Sequence, residues 1–159
     1  NSAPCQTCFF CKKDQPNLCE DLLFVNGAYA EFLLLPTRIV QENLLEIPEG
    51  LSFQAAALTE PLACVVHGME AAHPQAGETV ALLGAGPIGL LFAQLLLAVG
   101  AQVILLGKGT QRLAKAEAIG VQTVLDLTQI ENPVAAIRQN SPSGKGADLV
   151  IEAVGQPAA

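Results

Sequence analysis

Val80-Ala81-Leu82-Leu83-Gly84-Ala85-Gly86-Pro87-Ile88-Gly89 decides how this chain is read. A short apolar segment of strand length runs into G-x-G-x-x-G, with its glycines at Gly84, Gly86 and Gly89. Leu90 to Val99 then reads as a buried helix closed by Gly100, and Gln102 to Leu106 as a second buried strand. Strand, glycine turn, helix and strand form the context in which this pattern cradles a dinucleotide. Gly84 permits the tight turn. Gly86, lacking a Cβ, lets a pyrophosphate approach the backbone, and Gly89 lets the helix pack against the strand. Pro87 falls near the first turn of the helix, where its missing N–H costs nothing. The N–H groups at the helix start face the phosphates. Gly84, Gly86, Pro87, Ile88 and Gly89 are therefore the first candidate cofactor-binding residues.

The same stretch excludes a competing reading. Val80 to Gly107 is 28 positions without a charge, which a hydropathy scan takes for a membrane span. The glycines and Pro87 cut it into pieces too short to cross a bilayer, so no membrane partner is expected.

Downstream the pattern repeats. Thr110 is a plausible N-cap for a helix to about Ile119, ended by Gly120. Val121 to Leu125 is a short strand, Asn132 to Gln139 a short helix, and Ala147 to Val154 another apolar strand. The βαβαβαβ order predicts an α/β fold with a doubly wound parallel sheet, its strands arranged 3-2-1-4. Strands 5 and 6 of the full order are missing, so the sheet is expected to be incomplete.

The end of the second strand bears on which nucleotide is preferred. NAD sites place Asp or Glu there to bind the ribose 2′-OH. This chain has Gly107-Lys108-Gly109-Thr110, and its first acid after the motif is Glu117, well into the next helix. Lys108 and Arg112 add positive charge and the Thr110 hydroxyl is a donor, which favours NADP(H) over NAD(H). The bland alternative makes Lys108 and Arg112 ordinary surface charges. Gly107, Lys108, Thr110 and Arg112 complete the candidate cofactor set.

Four of the five cysteines, Cys5, Cys8, Cys11 and Cys19, form C-x2-C-x2-C-x7-C. Four thiolates at this spacing suit a tetrahedral zinc, and an all-thiolate site is closed and structural. Disulfides or free thiols are the weaker alternatives, since nothing marks a secreted chain. Such a site carries a net charge of about −2. Lys12 and Lys13 either offset it or are merely solvated. A nucleic-acid-binding zinc ribbon shares the ligand set, but Asp14, Glu20 and Asp21 flank it and aromatics are few.

Between these halves, Thr59-Glu60-Pro61-Leu62-Ala63-Cys64 opens a helix. Pro61 suits its first position, which puts Glu60 just outside. Glu60 and Cys64, four apart, are each a metal-ligand candidate. Their bland readings are a helix-start carboxylate and a small buried residue. His67 reads as a core or hydrogen-bonded histidine. Gly77 and Glu78 mark the expected boundary between a domain of residues 1–76 and one of residues 77–159.

Composition limits the function classes. The chain has 159 residues, 8 Lys plus Arg against 15 Asp plus Glu, a net charge of −7, and 51% apolar residues. So acidic a chain is a poor nucleic-acid binder by bulk charge, and so apolar a chain is not disordered by default. Aromatics are only 4%, which predicts an aliphatic core. No secretory signal is visible, so a cytoplasmic location is expected.

The four-cysteine lobe, Gly27-Ala28-Tyr29-Ala30-Glu31-Phe32, Ile47-Pro48, Glu60-Pro61-Leu62 and Gly84-Ala85-Gly86-Pro87-Ile88-Gly89 follow one another in this order. Together they resemble the zinc-dependent medium-chain dehydrogenase/reductase family, in its sorbitol and threonine dehydrogenase branch. The resemblance implies part of a GroES-like catalytic domain followed by an incomplete Rossmann domain. It implies a catalytic zinc in the full-length protein, with Glu60 as a catalytic residue and metal ligand. A Cys near Cys64 takes that role in the alcohol-dehydrogenase branch, which leaves the two open. The family's other catalytic ligands, a Cys and a Gly-His-Glu, lie upstream of the lobe and are not in this sequence. The chain is thus expected to be an internal fragment that does not itself catalyse the reaction.

The implied full-length protein transfers a hydride between an alcohol or polyol, a small molecule, and NAD(P), and is a homo-oligomer. The alternatives are a zinc-free or noncatalytic nucleotide-binding reductase that keeps the structural lobe, and a zinc-ribbon interaction module.

Overall fold

A computed structural model describes residues 2–155. Asn1 and residues 156–159, the outer ends of the two expected domains, lie outside the described residues. The chain divides into two compact units, Asn1–Leu51 and Ser52–Ala159. The expected 76/77 boundary falls within the second unit, just ahead of its first sheet strand.

The first unit has little apolar core. Strands β1 (Ser2–Ala3) and β2 (Leu23–Phe24) pair antiparallel, Ser2 with Phe24 and Ala3 with Leu23. Helix α1 (Thr37–Asn43) packs on β1. Ala3 and Ile39 are its only buried apolar residues among those described. Two single 3₁₀ turns, Cys11–Lys13 and Pro16–Leu18, carry the stretch between the last two cluster cysteines. Two buried apolar side chains hold a unit of this size poorly, the condition in which bound metal becomes the folding energy.

The second unit opens with α2 (Phe53–Ala56), capped by Ser52 Oγ accepting from the Ala55 N–H at 3.2 Å. Helix α3 (Thr59–Ala72) follows and ends where His73 turns left-handed, at φ 48°. Then come β3 (Thr79–Leu83), α4 (Pro87–Ala98), β4 (Gln102–Gly107), α5 (Thr110–Ala118), β5 (Thr123–Asp126), α6 (Pro133–Asn140) and β6 (Leu149–Glu152). The four strands form one parallel sheet in the order β5-β4-β3-β6. In sequence order this is 3-2-1-4, as the strand and helix alternation predicts.

Period-two alternation divides the core between the faces. Val80, Leu82, Val103 and Leu105 meet Ala93 and Leu96 of α4 and Leu113 and Ala116 of α5 on one side. Ala81, Ile104 and Leu106 meet Ile137 of α6 on the other. Leu82, Leu96 and Leu105 are fully buried, each contributing about 1.5–3 kcal/mol by leaving water. The buried core is aliphatic throughout.

Two helix starts differ from expectation. Helix α3 begins at Thr59, so Glu60 lies within its first turn and Pro61 is its third residue. Thr59 Oγ1 donates to the Ala56 carbonyl at 2.7 Å, tying the helix to the preceding turn. Helix α5 begins at Thr110 itself, with Gly109 (φ 96°) in the cap position and no side-chain cap. Helix α4 begins at Pro87, in the first turn as expected, and so takes in the three residues ahead of Leu90.

Candidate functional site

The four-cysteine segment is locally wound to bring sulfur together. Gln6 sits left-handed at φ 64°, which swings the following amides back toward Cys5. The N–H groups of Thr7 and Cys8 point at Cys5 Sγ at 3.5 and 3.3 Å, the Thr7 hydroxyl does so at 3.5 Å, and the Cys5 N–H donates to Cys19 Sγ at 3.2 Å. The sulfurs of Cys5, Cys8, Cys11 and Cys19 all lie within 4.8 Å of one another, and none is in a disulfide. A tetrahedral zinc with Zn–S of about 2.3 Å needs sulfurs about 3.8 Å apart. The donor set therefore fits zinc in number, softness and spacing.

The thiols differ in how readily they ionise. The Thr7 hydroxyl, then the Thr7 and Cys8 amides, hold Cys5 down to about 6. The Cys11 amide foremost lowers Cys8. Desolvation, reinforced by the neighbouring thiols, pushes Cys11 up to about 12. A divalent cation among them would remove that mutual penalty.

Sequence reasoning looked to Lys12 and Lys13 for the cluster's counter-charge and missed Arg38. Lys13 Nζ sits 4.6 Å over the Phe9 ring. Arg38, from α1, bonds Asp21 at 2.8 Å. Asp21 foremost raises the guanidinium, and the charges of Cys19 and Cys5 add to that. Arg38 thus brings a positive charge to Asp21, two residues past Cys19. It is 19 and 33 residues from Cys19 and Cys5 in sequence, so no local pattern marks it.

The glycine loop leaves β3 at the C-terminal edge of the sheet. Neighbouring connections there run to opposite sides, since β3 lies between β4 and β6. Such a switch point opens a crevice outside the strand ends. Gly84 donates to the Leu106 carbonyl at 2.8 Å and turns at φ 116°. A Cβ on Gly89 would come within 1.9 Å of the Gly84 carbonyl oxygen, so this contact admits only glycine. Gly86 is different: nothing lies within 4 Å of where its Cβ would be. The space above it is open, as a backbone approached by a ligand requires. Pro87 and Ile88 are exposed beside it. The first backbone donor of α4 is Leu90, to the Gly86 carbonyl at 2.9 Å, which leaves earlier amides available to an anion.

The β4–α5 connection supplies Lys108, Thr110 and Arg112, all exposed. Gly107 is buried, and a Cβ there would come within 2.6 Å of Ala85 Cβ. Its contribution is to let the glycine loop pack against β4.

Glu60 and Cys64 share one face of α3, the Cys64 thiol directed at Glu60 Oε1 at 3.6 Å. Both are exposed, so Cys64 is not the buried filler its size allowed. The Glu60 charge foremost raises the Cys64 thiol. His67 is exposed too, not in a core, with Nδ1 3.7 Å from Glu70. Two donors do not complete a catalytic zinc site, which takes three protein ligands and an open position. Among the described residues the only group of three or more metal donors is the four-cysteine cluster.

The sequence model of the zinc-binding dehydrogenase family matches residues 87–159. D-arabitol-phosphate dehydrogenase of Enterococcus avium is 34% identical over 95% of this chain and 43% of its own length. Sorbitol dehydrogenase of Halalkalibacterium halodurans is 33% identical over 95% of this chain and 44% of its own. A solved structure from Sinorhizobium meliloti 1021, assigned as a zinc-binding dehydrogenase and bound to NADP, superposes with a TM-score of 0.83. It is 35% identical over 98% of this chain and 46% of that one. These similarities support a fragment of a zinc-dependent medium-chain dehydrogenase, and the chain spans less than half the length of the relatives it matches. The doubly wound sheet and the cysteine lobe fit that family. No helix among the described residues is long and apolar enough to cross a membrane.

Proposed function

We propose that this chain is the structural-zinc lobe and nucleotide-binding portion of an alcohol or polyol oxidoreductase that uses NAD(P). The observation that carries the reading is the glycine loop. Gly84 and Gly89 are locked against each other while the Gly86 position is open, at the switch point of the sheet. Gly84, Gly86, Pro87, Ile88 and Gly89 would hold the pyrophosphate. Lys108, Thr110 and Arg112 would hold the adenosine end, with Gly107 shaping it, and the two cations favour NADP(H) over NAD(H). The bound nicotinamide supplies hydride chemistry. The chain's own residues orient it and present the phosphates with backbone donors.

Cys5, Cys8, Cys11 and Cys19 would hold one structural zinc. A reducing, cytoplasmic compartment keeps these thiols available for it. Glu60 is a further ligand candidate for the full-length enzyme's catalytic zinc, together with donors beyond these 159 residues. The domain division at 76/77, a homo-oligomeric full-length enzyme and the absence of a nucleic-acid partner belong to the same reading. The similarity to polyol dehydrogenases supports a small-molecule alcohol or polyol as substrate. The test is a metal count followed by titration of the zinc-loaded chain with NADPH and NADH. One zinc per chain and saturable nucleotide binding are expected. Absence of both would refute the reading.

A further inference from the structure

The nucleotide reading leaves the end of β4 with cations and no acid. The sheet register brings one in from the neighbouring strand. Asp126, the last residue of β5, is the Cα partner of Gly107, and Leu127 donates to the Gly107 carbonyl at 2.9 Å. Register partners on parallel strands direct side chains to the same face. Val124 and Leu105 belong to the core layer beneath α4 and α5, and Asp126 and Gly107 each follow two residues further along that face. Gly107 offers no side chain, so Asp126 is the carboxylate standing at the strand ends beside Lys108.

The carboxylate is also fixed. It is half-buried, and the Thr128 N–H and Oγ1 both bind Oδ1, at 2.9 and 2.8 Å. Oδ2 has no hydrogen-bond partner among the described residues. The two Thr128 donors, and after them the Lys108 charge, hold the carboxyl below the usual range, so it is ionised at neutral pH.

We propose that Asp126 is a specificity-determining residue: a carboxylate supplied by β5 that opposes Lys108 at the adenosine ribose and limits discrimination in favour of a 2′-phosphate. This rests on the nucleotide reading above. A fixed negative charge repels the 2′-phosphate and can accept from a 2′-OH, so both NADP(H) and NAD(H) are admitted with only a modest gap between them.

The experiment is titration of the zinc-loaded chain with NADPH and NADH, comparing wild type, Asp126→Asn and Lys108→Ala. Asp126→Asn keeps the size of the side chain and an oxygen for Thr128. It should raise the preference for NADPH over NADH by about five- to tenfold, with less gain at high salt because the effect is charge repulsion. Lys108→Ala should move the ratio the other way. An unchanged ratio in Asp126→Asn, with wild type binding either nucleotide, overturns the role of Asp126 and leaves the nucleotide reading standing. If wild type binds neither nucleotide, both fall together. Circular dichroism of Asp126→Asn checks that β5 is intact. A misfolded variant is replaced by Thr128→Val, which removes one of the two donors that fix the carboxylate and should shift the ratio in the same direction by a smaller factor. No shift there also overturns the proposal.

Discussion

Gly89 lies directly beneath the carbonyl of Gly84, so close that a Cβ on it would come within 1.9 Å of that oxygen. Gly86, between them, faces open space. Three glycines of one motif thus differ in their surroundings: at two, protein stands where a Cβ would go, and at the third the position is open.

That difference predicts opposite behaviour on substitution. Gly89→Ala should destabilise the second unit by about 1–3 kcal/mol, the range for overpacking, and lower its urea midpoint. Gly86→Ala should leave the midpoint unchanged, since φ there is −78° and nothing is near. It should nonetheless weaken nucleotide binding by about tenfold or more, because the added methyl occupies the phosphate's place. Paired denaturation and titration curves check both.

Removing metal should affect the two units differently. Asn1–Leu51 has only Ala3 and Ile39 as buried apolar residues among those described, whereas the β3–β6 sheet has an extended aliphatic core. Chelation, or Cys8→Ser, should abolish amide protection across residues 2–24 and leave β3 and β4 protected. Hydrogen exchange with and without chelator reads this out.

Arg38 is predicted to retard zinc loss. Arg38→Gln should speed transfer of zinc to a competing chelator at pH 7 by about two- to fivefold, since it removes a positive charge from the field of Cys5 and Cys19. The Arg38 hydrogen bond and then its charge hold Asp21 below the usual carboxylate range. A depressed carboxylate gives its stabilisation above its unfolded value, about 3.9, and loses it as pH falls through the folded value. The Arg38–Asp21 bond should therefore persist at pH 7 and fail only below about pH 4. Zinc retention measured at pH 7 tests Arg38 with that bond formed.

Glu60 is predicted to slow the reaction of Cys64 with electrophiles. Its charge raises the thiol, so Glu60→Gln should lower it, increase the thiolate fraction and accelerate alkylation of Cys64 at pH 8. The zinc-loaded protein is used so that the four cluster sulfurs are shielded, and the rate is followed by mass spectrometry.

The parts legible in the sequence are those encoded in short spans. The run from Val80 to Gly107 carries strand, turn, helix and strand in consecutive residues, and the parallel sheet with its 3-2-1-4 order follows from repeating that unit. The spacing of Cys5, Cys8, Cys11 and Cys19 is equally local. Helix starts were less legible where two residues compete for one role. Gly109 takes the cap position expected of Thr110 because the chain there needs a positive φ, and Thr59 extends α3 past Pro61 by bonding the preceding turn. What the sequence hides is lateral adjacency. Asp126 meets Gly107 only through strand pairing, and Arg38 of α1 meets Asp21, two residues past Cys19, only in the folded lobe. Neither neighbour is visible at any periodicity.

The central claim is that the open position at Gly86 receives a nucleotide pyrophosphate. The most direct test titrates the zinc-loaded chain with NADPH, following nicotinamide fluorescence, against a Gly86→Val variant shown by its urea midpoint to be as stable as wild type. Saturable binding by wild type that the variant loses is the predicted result. No binding by wild type, or equal binding by both proteins, would contradict the account.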